Sequence, residues 1–319
     1  MPRIALFLPS CVLFLCALCL CTLPARAATY TMLRIEGSEA GRAPYGVALL
    51  ELAFAKAGVC HSLALSEPGM KQARAVHELA QGTGKLDIMI TMSSPERETA
   101  LLGVPVPLTK GLLGWRIALV RKERLHQFAE VRSAAQLQGF VAGMGHDWPD
   151  TAVLRASGLP VHLSSTYTGM FRMLEAGRID YFPRAVKEIQ AEHGRYPALA
   201  VEPHLVLRYP ADAYFFVNRR NTRLAAELRK GLEAAIADGS FDRLFYSYFA
   251  PQIAAAGLER RRIIDLPNPA QAPSLPLERP ELWFSLGELR RPVFVAAARG
   301  RVQPPVAAAP CSAVKQAGR

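Results

Sequence analysis

The stretch LDIMITMSSPER, residues 86–97, decides the architecture. Leu86 to Thr91 is a compact apolar run, the pattern of a strand buried on both faces. A strand of that kind needs elements packed over it, and helical patterns flank it in the sequence. Upstream, Gln72 to Ala80 reads as a helix ended by Gly82 and Gly84, and His61 to Leu65 as a strand. Further back, Tyr45 to Ala57 sets Val47, Leu50, Phe54 and Ala57 on one helical face. Gly58 stops that helix in the position that tolerates a left-handed backbone. Tyr30 to Ile35 is a short strand pattern.

The alternation continues downstream. Leu112 to Val120 reads as a strand, followed by polar and charged residues. The pattern then restarts. Phe140 to Ala142 is a strand end, Gly143 to Gly145 a glycine turn, Pro149 to Ala156 a helix and Val161 to Leu163 a strand. Thr166 caps a helix from Tyr167 to Ala176, closed by Gly177, and Ile179 to Phe182 is a strand. Tyr214 to Val217 follows. A long amphipathic helix then carries Leu224, Leu228, Leu232 and Ile236 on one stripe, with Gly239 as its stop. These patterns predict two α/β units in series with a final return segment. Beyond Ser285 the chain turns rich in Ala, Pro and Arg and reads as disordered.

The first residues set the expected compartment. Arg3 supplies a positive charge, an apolar run follows from Ile4 to Leu23, and Ala25-Arg26-Ala27 is a small-x-small triplet. That order is the signature of a cleavable secretory leader. The uninterrupted apolar stretch from Cys11 to Leu23 is shorter than the roughly 20 residues a bilayer crossing needs. A lipoprotein anchor is set aside, because Leu15, Leu18 and Leu20 precede Cys16, Cys19 and Cys21, and Cys11 comes too early. Outside the leader only Cys60 and Cys311 remain, far apart, so no dense disulfide framework is expected and apolar burial must hold the core.

The formal charge is +11, and its location matters more than its size. Loss of the leader leaves +9, and +5 of that sits between Leu286 and Arg319. The remainder is too weakly basic for a nucleic-acid protein and shows no stripe of arginines interleaved with aromatics.

Four stretches together resemble the bacterial extracellular solute-binding proteins of family 3, the amino-acid-type periplasmic receptors that feed ABC transporters. Leu86 to Ile90 with Ser94-Pro95-Glu96-Arg97 is similar to the family's strand and Thr-Pro-Glu-Arg turn. Leu137 to Ala142, with Gly145 beyond it, resembles its second-lobe strand and ligand-loop glycine. Leu174 to Asp180 is similar to its "L.GrvD" segment, and Asp238 to Leu244 with Tyr248-Phe249 to its C-terminal ending. The resemblance covers roughly Tyr30 to Phe249. It implies an α/β, two-lobed, type II periplasmic-binding-protein fold, its lobes joined by two hinge strands with the ligand between them. The expected division is a signal peptide at 1–27, a first lobe from 28–121 plus 211–285, a second lobe at 122–210, and a disordered basic tail at 286–319.

Arg97 matches the arginine that grips the ligand's carboxylate in that family, and its planar fork suits bidentate binding. The alternative is a solvated arginine paired with Glu96 or Glu98. Ser94 and Thr91 are expected to donate hydroxyls beside it, and Tyr45 to form an aromatic wall. In the second lobe Gly145 and His146 offer backbone N–H groups at a helix start. Asp147 or Asp150 would cap that helix, and Trp148 would cover an apolar solute or sit in the core. Where the resemblance implies an aspartate for the ligand's ammonium, this chain has Ala185, preceded by Arg184. Arg97 plus Arg184 suits an anionic or carboxylate solute better than a standard α-amino acid. The competing role of Arg184 is an ion pair with Glu188, four residues on.

No HExxH, no clustered Cys/His spacing and no G-x-S-x-G is present, so neither a catalytic residue, a metal nor a cofactor is expected. The expected protein is a periplasmic monomer that binds a small-molecule solute and serves a membrane permease or sensor, with no nucleic-acid partner. Two rivals stand beside it: a periplasmic enzyme of the cyclohexadienyl dehydratase type, with His146, Asp147 or Glu188 as acid or base, and a ligand-sensing module for a membrane partner.

Overall fold

The structure, a computed structural model, describes residues 28–34 and 44–304. The expected leader, Ile35 and Cys311 lie outside those residues. The first lobe begins with β1 (Ala28–Met32), α1 (Pro44–Ala57), β2 (His61–Leu65), α2 (Gln72–Gln81), β3 (Ile88–Met92), α3 (Pro95–Ala100) and β4 (Leu102–Val104). The second lobe follows with β5 (Trp115–Arg121), α4 (Ala134–Leu137), β6 (Ala142–Gly145), α5 (Asp150–Ala156), β7 (Val161–Ser164), α6 (Tyr167–Glu175), β8 (Tyr181–Ala185), α7 (Val186–Arg195), β9 (Leu199–Val201) and β10 (Leu205–Arg208). The chain returns to the first lobe as β11 (Ala213–Val217), α8 (Thr222–Ala237) and α9 (Ser240–Ala256). It then adds β12 (Arg262–Asp265) to the second sheet, and the last described helix, α10 (Pro292–Ala298), packs on α9.

The first sheet runs β2-β1-β3-β11-β4. The apolar run of residues 86–92 becomes its central strand: β3 lies parallel to β1 and antiparallel to β11, with Ile88 and Met89 fully buried. One face is covered by α1 and α8, whose Leu49, Leu50, Phe54, Leu228 and Leu232 are fully buried. Those five side chains bring on the order of 8–15 kcal/mol of transfer free energy, at about 1.5–3 kcal/mol each. The second sheet runs β12-β10-β5-β8-β6-β7, with β9 also paired to β5. It mixes parallel pairs (β6 with β7 and β8) and antiparallel ones (β5 with β8 and β10).

Two strands cross between the sheets in contact with each other. The amide of Tyr209 donates to the carbonyl of Gly114 at 3.2 Å, and a Cβ on Gly114 would stand 2.0 Å from the Tyr209 carbonyl oxygen. Only glycine allows that approach. Asp212 pins the crossing from the other side. Fully buried, its carboxylate accepts from the Thr109 amide (2.9 Å) and hydroxyl (2.6 Å), the Gly111 amide (2.7 Å) and the Ala213 amide (2.7 Å).

Four expectations differ from the observed fold. The first lobe ends near Gly114, not Arg121, because the apolar run at 112–120 joins a buried 3-10 turn (Leu112–Gly114) to β5, which is central to the second sheet. Segment 211–285 does not stay in the first lobe: β12 pairs with β10 over four residues and belongs to the second sheet. Residues 286–304, expected to be a disordered tail, include a 3-10 segment (Leu286–Arg290) and α10, whose Phe294 and Ala297 are buried against α9. The pattern Phe294, Ala297 is a single helical stripe too short to stand out in an Ala/Arg composition. The expected glycine turn at 143–145 is strand β6, paired with β7. Cys60 is disulfide-bonded, and every other cysteine of the chain lies outside the described residues.

Candidate functional site

A cavity of about 550 Å³ lies between the two sheets, lined by both lobes and by the crossing strands. That size falls in the range of small-molecule sites, about 300–1,000 Å³. Met32, Leu49, Leu65, Ile90 and Phe249 form an apolar wall on the first lobe. Trp148, Asp150, Arg184, Lys187 and Glu188 face it from the second, and Thr109, Leu113 and Arg116 close the hinge side.

Tyr45, at the start of α1, lines the cavity, packs edge-on to Phe249 with centroids 4.6 Å apart, and donates its hydroxyl to the Leu108 carbonyl at 2.6 Å. Burial, with Asp212 and Asp242 nearby, pushes its pKa well above the ordinary phenol value. Ser94 is the N-cap of α3: its Oγ accepts from the Arg97 amide at 3.3 Å, with Pro95 at the first helical position. It does not line the cavity.

Arg97 is 8% exposed and stands behind the cavity wall. One terminal nitrogen donates to the Thr91 hydroxyl (2.5 Å) and the Met92 carbonyl (2.9 Å). The other donates to Gln72 Oε1 (3.0 Å) and, across the lobes, to the main-chain carbonyl of Asp147 (3.3 Å). Burial lowers its pKa, and Asp150, Asp147 and Glu96 act in the opposite sense. The fork is thus spent on protein acceptors, and the side chains it presents to the cavity are Thr91 and Gln72. The Thr91 hydroxyl also donates to Gln72 Oε1 at 3.0 Å. With that oxygen accepting twice, the two N–H donors of the Gln72 amide have no acceptor among the described residues and face the cavity for a solute.

In the second lobe the His146 amide donates to the Ser164 carbonyl at 3.2 Å, its side chain is exposed, and neither Gly145, His146 nor Asp147 lines the cavity. The indole of Trp148 lies over Gly145, where a Cβ would meet the ring at 2.6 Å, so the glycine serves the ring and not a ligand. Trp148 itself lines the cavity. Asp150 is not a cap. Its Oδ1 accepts from Arg116 and from the Tyr209 hydroxyl, and Arg116 Nε donates to that same hydroxyl at 2.9 Å.

Arg184 lines the cavity under Trp148, 5.0 Å from the ring centroid, with its charge met by two carboxylates. It reaches Glu188 at 2.9 Å and Glu192 at 2.7 Å, so the ion pair with Glu188 is formed and extended. Burial works against the guanidinium charge, but Glu188 and Glu192 outweigh it and raise its pKa. Sequence reading missed Gln72, Arg116 and Lys187 as cavity residues. Their spacing carries no motif, and only the tertiary fold brings them together. Among the described residues no group of three His, Cys, Asp or Glu side chains is arranged to hold a metal ion.

The arrangement is the two-lobed α/β fold of periplasmic binding proteins. No family model and no curated protein matches the chain. Among solved structures, an ancestral arginine-binding protein bound to arginine is 17% identical, with a TM-score of 0.54, over 70% of this chain and 98% of that one. A histidine kinase sensor domain with similarity to periplasmic binding proteins is 17% identical, with a TM-score of 0.53, over 70% and 96%. An ancestral amino-acid-binding protein, precursor of cyclohexadienyl dehydratase, is 14% identical, with a TM-score of 0.52, over 70% and 95%. At such identities the likeness is one of fold.

Proposed function

We propose that this chain is an exported, periplasmic solute-binding protein whose lobes close on a small carboxylate-bearing solute and report its capture to a membrane permease or sensor. The observation that carries this reading is the cavity of about 550 Å³ walled by both lobes, because a solute held there touches both and favours closure. Free donors on its walls, the Gln72 amide and the Lys187 ammonium, suit a solute that brings acceptors. The leader pattern of residues 1–27 supports export, and no helix among the described residues is long and apolar enough to cross a membrane. The arginine-binding and sensor-domain neighbours support a binding role on this fold.

A catalytic role needs a cleft acid or base free to move a proton. The two carboxylates of the lining, Asp150 and Glu188, are both held by guanidinium groups. The deciding experiment is a thermal-shift panel on the chain from Ala28 onward, against carboxylates, amino acids and sugars. A carboxylate should raise the melting temperature progressively with concentration, as mass action requires. No shift with any of the three classes contradicts the proposal.

A further inference from the structure

The three arginines of the cavity lining all hold carboxylates: Arg34 pairs with Glu67, Arg116 with Asp150, and Arg184 with Glu188 and Glu192. Lys187 is the remaining cation of the lining. Among the described residues its ammonium has no hydrogen bond and no ion pair; it leans over the Phe249 ring of the opposite lobe, 5.9 Å from the centroid. The carboxylates whose fields reach it are Asp212 and Glu188. Asp212 is saturated by four donors from the crossing strands, and Glu188 is engaged with Arg184. The like charges of Arg116 and Arg184 stand on neighbouring positions of the same wall.

Among the described residues, the cavity lining therefore offers one uncommitted cation and no uncommitted carboxylate. An α-ammonium would find no free carboxylate among them, and a desolvated polar group without a partner is costly. Opposite Lys187 the wall of Met32, Leu49, Leu65, Ile90 and Phe249 is apolar, a surface that rewards burial of hydrocarbon.

We infer that Lys187 sets the specificity of this site: it takes the carboxylate of a monoacid whose apolar body, a ring or a short alkyl chain, lies against the first lobe. The inference rests on the proposed solute-binding role and names its solute class. Arg97 acts behind it, orienting Gln72 and Thr91 to complete the polar end of the pocket.

The test is calorimetric titration of the chain from Ala28 onward with 3-phenylpropanoate, octanoate, 3-phenylpropylamine and phenylalanine. The two acids should bind, the amine should not, and phenylalanine should bind at least tenfold more weakly than 3-phenylpropanoate. Lys187→Met should lower acid affinity tenfold or more with the unliganded melting temperature unchanged, and Lys187→Arg should restore most of it. If Lys187→Met binds the acids as tightly as the wild type, or the amine or phenylalanine binds as tightly as the acid, the inference is overturned while the solute-binding role stands. If the wild type binds none of these and no carboxylate, amino acid or sugar from the wider panel, both fall together.

Discussion

Arg97 of the first lobe donates to the main-chain carbonyl of Asp147 in the second, 3.3 Å away, while its other donors hold Thr91, Met92 and Gln72. One buried guanidinium thus ties the lobes together and orients the polar end of the cavity. Arg97→Ala should abolish ligand-induced stabilisation. It should also cost about 1–3 kcal/mol in the unliganded protein, because buried acceptors such as the Met92 carbonyl lose their donor. Urea unfolding with and without ligand reads both effects. A variant that binds and unfolds like the wild type removes Arg97 from the account.

Arg184 and Glu192 form a buried ion pair at the edge of the same cavity, joined by the partly exposed Glu188. Arg184→Met leaves two carboxylates without their cation and should cost about 3–5 kcal/mol, the penalty of breaking a buried pair. The triple variant Arg184→Met, Glu188→Gln, Glu192→Gln should recover much of that loss, because all three charges leave together. Denaturant unfolding separates the two outcomes; equal stability of the single and triple variants contradicts the assignment.

The pH dependence of that cluster has a definite sign. Burial pushes the Glu188 pKa up, but Arg184, Lys187 and Arg116 pull it down further, below its ordinary 4.5. A carboxylate lowered in the folded state adds stability above its unfolded pKa and loses it as the pH falls through the folded value. The contribution of Glu188 should therefore be intact at neutral pH and be lost as the pH falls below 4.5. Stability of Glu188→Gln relative to the wild type, followed from pH 7 to pH 3 by thermal unfolding, should show the gap closing in acid. A gap that widens in acid contradicts it.

The C-terminal segment gives a test that composition and structure answer oppositely. Phe294 of α10 is buried against α9, its ring edge-on to Tyr246 with centroids 5.7 Å apart. Phe294→Ala should cost about 3–5 kcal/mol, the usual result of emptying a buried aromatic site. A solvated tail would give a change within about 0.5 kcal/mol.

How much of this was legible in the sequence depended on whether the signal was local. The strand at 86–91 was readable, because a compact apolar run acts through its neighbours alone, whereas Ser94-Pro95, read as a turn, starts helix α3. The lobe boundary was hidden: residues 112–120 are apolar but for Arg116, yet the first three form a hinge turn and the rest a central strand. β12 is the four residues RIID among arginines, and its partner β10 lies more than fifty residues away. At the site, Trp148 and Tyr45 line the cavity, while Arg97 stands one layer back and Arg184 is neutralised by residues four and eight positions on. Lys187 matters because, among the described residues, every other cation of the lining is paired, and pairing is a property of the folded chain.

The central claim is that the cavity between the lobes is where a carboxylate solute is held. Ala191 of α7 lines that cavity with an exposed side chain, so Ala191→Trp fills it without disturbing the core. Titration of the panel's strongest carboxylate into wild type and Ala191→Trp is the most direct measurement. The account predicts single-site saturation in the wild type and at least a tenfold loss in the variant, at an unchanged unliganded melting temperature. Equal affinity in the two proteins would place the solute elsewhere and contradict it.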